Sequence, residues 1–163
     1  MCIYTSPGRT RDEPLLIQHY WFKLGLHNPQ RWEEIFPRLS KDAALLIAAS
    51  GVAIAGAGGE GEPYLTEETI ALNGSEDDGD AHESFNLERN VEENDNFCKT
   101  REKPYDVVVT AILIRAVQLL GKEYMAGGGK GEITSDGTWE EWESGRELVG
   151  KVFPGEEIVC PWE

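Results

Sequence analysis

One stretch constrains this fold more than any other, the run FCKTREKPYDVVVTAILIRAVQLLG over residues 97–121, where a charge-dense lead-in turns into the most apolar part of the chain. From Val107 to Leu120 nearly every residue is apolar, and Asp106, Thr110, Arg115 and Gln118 leave one narrow polar stripe on a helical wheel. The three valines at its start would suit a buried strand, but the segment is too long for one, so it predicts a helix wrapped by other elements on most sides. Pro104 fits the first helical position, where its missing N–H has no intrahelical partner, and Gly121 supplies the stop.

The remaining elements are read around that helix. Residues 2–5 suggest a short terminal strand. A first helix is expected from Pro14, with Leu15, Leu16, Ile17, Tyr20, Trp21 and Leu24 at helical spacing and Gly25 closing it. Asn28 caps a second helix with Pro29 at its first position and Trp32, Ile35 and Phe36 on one face, before Pro37 interrupts it. Ser40 caps a third, carrying Ala43, Ala44, Leu45, Leu46 and Ile47 and ending near Ser50 and Gly51. The glycine-rich segments 56–63 and 126–131 read as flexible loops. Strands at 69–72 and 84–88 form a hairpin across an acidic loop, residues 73–83. Residues 90–96 read as irregular, and 132–134 as a short strand. Thr138 and Glu141 match a capping box, opening an amphipathic helix with Trp139, Trp142, Val149 and Val152 inward, which Pro154 stops. The sum is a single compact α+β domain, with a small sheet built around Ile70, Phe85 and Ile133 under several helices.

Charge narrows the range of functions. The 163 residues carry a formal charge of −15, and residues 60–102 hold fourteen acids against three bases. Binding to nucleic acid draws its affinity largely from Lys and Arg neutralising phosphates, so direct binding is not expected and a partner with a basic surface is. The plain alternative is that the charge keeps the protein soluble. Cys2, Cys98 and Cys160 are isolated, without the spacing of a zinc knuckle or a disulfide framework. No basic, apolar leader opens the chain, and the longest weakly polar stretch, 43–57, is too short and too broken to span a bilayer. These features lead to the expectation of a cytoplasmic protein with no membrane segment.

Three patterns invite chemistry. Gly56, Gly58 and Gly61 satisfy GxGxxG, but Glu60, Glu62 and Pro63 occupy the place where a helix start would meet a pyrophosphate, so no cofactor site is assigned. GGGKG at 127–131 lacks the Ser or Thr of a P-loop. The acidic loop gathers Asp77, Asp78, Asp80, His82 and Glu83. Of these, Asp78, His82 and Glu83 are the candidate ligands for a divalent cation, although the EF-hand pattern fails when Gly79 is set at its turn position. The lead-in to the central helix offers a thiol, amines, hydroxyls and a carboxylate. Cys98, Lys103, Asp106 and, from a later turn, Asp136 are therefore the candidate catalytic groups, with no obvious histidine base beside them. The candidate binding surface comprises Glu76, Asp77, Asp78, Asp80, Lys99, Thr100, Lys103 and Tyr105. Against it stands the reading in which Thr100 and Asp106 cap the helix, the lysines are solvated, and Phe97, Cys98 and Tyr105 pack.

The pieces FCKTREKPYDVVVTAILI and ITSDGTWEEW, preceded by ALNG and DAHESF, resemble a pattern in small proteins of unassigned function encoded by bacteriophages and prophages. The likeness covers roughly residues 69–149 and brings no catalytic residues with it. It implies a phage accessory protein acting in the bacterial host. The leading expectation is a non-enzymatic acidic module that binds a host or viral protein, with inhibition by nucleic-acid mimicry a special case. The alternatives are a small metal-dependent enzyme, in which the acidic loop and the helix start share one cleft, and a virion or assembly component marked by an apolar patch.

Overall fold

The computed structural model describes residues 18–22, 24–121 and 132–162, with the side chains of Phe22, Asp95 and Asn96 excepted. The expected strand at 2–5, the start of a helix at Pro14 and the loop at 126–131 lie outside the described residues. Those described form three helices and two small antiparallel sheets in an α+β arrangement.

The first described element is a strand and not the expected helix. β1 (Gln18–Phe22) is the centre of a three-stranded sheet, with β6 (Asp95–Lys99) on one side and β7 (Ile133–Ser135) on the other. The apolar residues of 15–24 mimic helical spacing. However, Gln-His-Tyr-Trp-Phe is rich in strand-favouring aromatics, and burial alternates along it: His19 and Trp21 are buried, Gln18 and Tyr20 half-buried. Tyr20 stands opposite Phe97 on the outer face, while Trp21 meets Phe85 at 4.9 Å between ring centres on the inner one. β6 replaces part of the irregular stretch expected at 90–96, which is limited to a 3-10 turn at Val91–Glu93.

α1 (Pro29–Ser50) is a single helix, and no break separates a second from a third. Asn28 Oδ1 accepts the Arg31 amide at 3.1 Å and Pro29 sits in the first turn, as the cap pattern requires. Pro37 lies inside the helix and does not end it. Trp32, Ile35, Phe36, Leu39, Ala43 and Leu46 form one continuous buried stripe across it. Burying such a stripe, at roughly 1.5–3 kcal/mol per large side chain, outweighs the ~3 kcal/mol that an internal proline costs. Gly51 closes the helix at φ 69°.

The second sheet has β4 (Thr69–Gly74) at its centre. β5 (Phe85–Glu88), β3 (Tyr64–Leu65) and β2 (Ile54–Ala55) each pair with it antiparallel, β2 at its C-terminal end. The hairpin around Ile70 and Phe85 is thus as expected, but Ile133 belongs to the other sheet, paired with Trp21. A strand of three residues has too little pattern to say which neighbour it joins.

α2 (Asp106–Leu120) is the buried centre. Its first helical residue is Asp106, two beyond the expected Pro104, which instead sits in the turn leading to the Tyr105 cap. Gly121 terminates it. Within the narrow polar stripe Thr110 and Arg115 are both 1 % exposed, while Asp106 and Gln118 at its ends are half-buried. Arg115 pairs with Asp42 of α1 at 2.8 Å, reaches Glu156 of the C-terminal segment and lies over the Phe153 ring. α3 (Glu143–Val152) follows the capping box formed by Thr138 and Glu141 and packs against α2. Gly145 permits that approach, since a Cβ there would fall 2.1 Å from Thr110 Oγ1. Trp162 folds back on Trp139 and Trp142, which holds the C-terminal segment against the start of α3. No helix among the described residues is long and apolar enough to cross a membrane.

Candidate functional site

The turn between β6 and α2 is the most unusual backbone in the described residues. Arg101 and Glu102 are successive non-glycine residues with φ of 52° and 57°, a conformation that costs ~1–2 kcal/mol each. Strain of that kind persists only where the surroundings over-determine it. Here they do: Thr100 O accepts the Lys103 amide at 3.0 Å, Lys103 O accepts the Asp106 amide at 2.9 Å, and the Thr100 hydroxyl donates to Asp106 Oδ1 at 2.6 Å.

The same Asp106 Oδ1 lies 2.6 Å from Nε2 of His19, a fully buried imidazole brought in from β1, 87 residues away. On the other side of the ring, Nδ1 is 2.9 Å from Ser135 Oγ at the end of β7. Ser135 Oγ also accepts the Gly137 amide at 3.0 Å and the Trp142 indole N–H at 3.4 Å. Counting donors assigns the protons: with Asp106 ionised, Nε2–H donates to the carboxylate, and the one hydrogen of Ser135 goes to Nδ1. Trp142 caps the ring edge-on at 5.1 Å. Three strands or turns and two helix starts are thereby tied through one imidazole.

Ser, His and Asp in contact are the groups of a nucleophilic triad, but the wiring is reversed. In that mechanism Asp holds Nδ1 and Ser faces Nε2, at the mouth of a substrate site. Here both ends are half-buried, and it is Asp106, its side chain 17 % exposed, that lines a cleft of about 290 Å³ together with Lys103, Thr110, Glu141 and Ser144. Ser135 is not part of that lining. The arrangement positions a carboxylate and does not activate a serine.

Cys98 is buried on β6, its thiol donating to the Glu83 carbonyl at 3.3 Å. Burial pushes that thiol up to about 12, so it stays protonated and unreactive at neutral pH. The Tyr105 hydroxyl donates to the same carbonyl at 2.7 Å, and its burial likewise holds the phenol neutral. Glu83 Oε2 accepts the Lys99 amide at 2.7 Å, which commits that carboxylate to the end of β6. His82 is held by its backbone, N–H and C=O both bonded to the buried Asn73 side chain at 3.0 Å. Asp136 is exposed beyond β7, its amide donating to Gln18 O at 3.0 Å. Among the described residues no group of three or more His, Cys, Asp or Glu side chains is arranged to hold a metal ion.

The acidic loop does meet the start of α2, through backbone and not through converging carboxylates. Lys103 Nζ donates to Gly79 O at 2.8 Å. Within the loop, Gly79 N–H bonds Glu76 O and Asp80 N–H bonds Ser75 O. The Glu76 amide donates to Gly59 O at 3.0 Å, and Gly58 N–H donates to Ser84 Oγ, so the glycine-rich segment 56–63 lies beside the acidic loop. Glu60, Glu62, Glu76, Asp77 and Asp78 are exposed along this double loop, with Asp80 half-buried.

Of the sequence candidates, the structure joins Thr100 with Asp106, and Cys98, Lys99 and Tyr105 with Glu83; it fastens Lys103 to the acidic loop and leaves Asp78 and Asp136 apart. His19, Ser135 and Trp142 were missed. The signal for His19 was the period-two alternation of strand β1, hidden under a helical spacing of leucines. Comparison with protein-family models, curated proteins and solved structures finds no significant match to this chain.

Proposed function

We propose that this chain is a non-enzymatic acidic binding module of phage type, which uses the paired loops 56–63 and 74–80 to engage a basic surface on a host or viral protein. The observation that carries this reading is the fastening of the two loops to each other by the Glu76–Gly59 backbone bond and to α2 by Lys103. Five exposed carboxylates then project from a backbone already held in place, so little ordering entropy is lost when a partner arrives. Lys103 keeps its charge while bonded to a loop carbonyl, but the five exposed carboxylates outnumber it, so the field of the face is negative. A surface of this sign fits a groove that otherwise holds nucleic acid.

The test is capture from a bacterial lysate with tagged wild-type protein and with Glu76, Asp77 and Asp78 all changed to Lys, each at low and high salt. A basic protein retained by the wild type at low salt, released at high salt and lost with the triple variant is the expected result. Equal capture by both proteins would contradict it.

A second reading, a small enzyme, draws support from the cleft that ends on Asp106, where a carboxylate oriented by His19 and Thr100 is placed to take a proton. In its metal-dependent form a divalent cation would bind at Asp106 itself, because the acidic-loop carboxylates do not converge on the cleft. Added Mg²⁺ or Mn²⁺ should then raise the melting temperature of the wild type and not of Asp106→Asn; no shift with either ion counts against it.

A further inference from the structure

Glu132, immediately before β7, is 3 % exposed, and neither carboxyl oxygen has a hydrogen-bond partner. It sits against the turn between β1 and α1. The Gly25 and His27 amides and the His27 ring lie near enough to favour its charged form in part, but neither amide reaches hydrogen-bond geometry, and burial outweighs them. Among the described residues, His27 is the titratable group that faces it, and the register that sets Ile133 opposite Trp21 places Glu132 just beyond the last paired position of β7.

A buried carboxyl without hydrogen bonds tolerates its neutral form and not its charged one. The turn beside it has little freedom to rotate an amide into bonding position. Gly25 holds φ 90° with its Cα against Trp32, where even a Cβ would fall within 2.5 Å of the indole, and its carbonyl is committed to the Asn28 amide at 3.1 Å. Charge on Glu132 is relieved when water reaches the carboxyl, and separation of the start of β7 from β1 admits water to this corner.

We propose that Glu132 is a pH-sensitive latch on the corner where β7 meets the β1–α1 turn, closed while its carboxyl is neutral and loosened when it ionises. Burial raises the Glu132 pKa above the ordinary carboxyl value, which puts the transition on the neutral side of that range. Because Ser135 closes β7, the latch also governs how firmly the Ser135–His19 bond is held.

The test is amide hydrogen exchange by NMR on wild type and Glu132→Gln from pH 5 to pH 8, corrected for intrinsic rates. In the wild type, the protection of amides paired between Trp21 and Ile133 should fall severalfold as pH rises, while amides in the middle of α2 hold. In Glu132→Gln the same amides should keep one level of protection throughout. Identical pH profiles in the two proteins would overturn the proposal. A direct titration of the Glu132 side-chain carboxyl by ¹³C NMR in the wild type decides the matter if the variant does not fold. A midpoint at the ordinary carboxyl value overturns it, and one clearly above supports it.

Discussion

Two regions of this molecule are equally polar in sequence and opposite in structure. Around the start of α2, His19, Thr100, Asp106 and Ser135 spend their hydrogen-bonding groups on one another, and His19 and Thr100 are fully buried. In the loop 74–80 only the backbone is satisfied internally, and the carboxylates of Glu76, Asp77 and Asp78 face solvent. The first region is a clasp that fixes how the β1 sheet meets the central helix. The second is a surface whose charges contribute nothing to the fold. Polar density alone does not mark a site; what separates the two is where the side-chain donors and acceptors end.

Breaking buried polar pairs should therefore be costly and altering exposed ones should not. The largest effect belongs to Asp42, which holds Arg115 and Arg38 and is 1 % exposed. Asp42→Ala leaves the buried guanidinium of Arg115 with its main partner gone and should cost about 3–5 kcal/mol in urea unfolding. Asp106→Ala orphans the Thr100 hydroxyl and the His19 Nε2–H, each a loss of about 1–3 kcal/mol, and the melting temperature is the readout. Gly145→Ala drives a methyl into Thr110 and should destabilise by about 1–3 kcal/mol without touching a charge, which separates packing from polarity at the same helix contact.

Glu132 sharpens the contrast, being buried yet unsatisfied. Its folded pKa is raised, so the unfolded chain loses its proton first as pH increases. Stability is then greatest below the ordinary carboxyl value and falls as pH rises from there through the folded pKa, after which this contribution is flat. Glu132→Gln should remove that decline from the stability-versus-pH curve. The smallest effect is expected for Glu76, Asp77 and Asp78 changed to Lys, within about ±0.5 kcal/mol of wild type.

Much of the framework was legible before the fold was known. The buried helix, the Asn28 cap, the hairpin of β4 and β5, the Thr138–Glu141 box and the inward face of α3 all follow from local periodicity and cap chemistry, which act within a few residues. What was not legible depended on distance in the chain. β1 hid because its aromatics overlap a helical spacing, and a strand is stabilised by neighbours, here residues near 97 and 134. Pro37 failed to break α1 because a continuous apolar stripe across it is worth more than one hydrogen bond. The clasp was half visible: Thr100 and Asp106 lie six residues apart, whereas His19 reaches Asp106 from 87 residues away and Ser135 reaches His19 from 116. The acidic loop was recognised from composition, but its fastening to Gly59 and Lys103 was not.

The most direct test of the division between the two regions is equilibrium urea unfolding of Asp106→Ala beside the triple Glu76, Asp77, Asp78 to Lys variant at pH 7. The expected result is a midpoint lowered well below wild type for Asp106→Ala, with the triple variant superimposed on wild type. A triple variant that unfolds early, or an Asp106→Ala protein as stable as wild type, would contradict it.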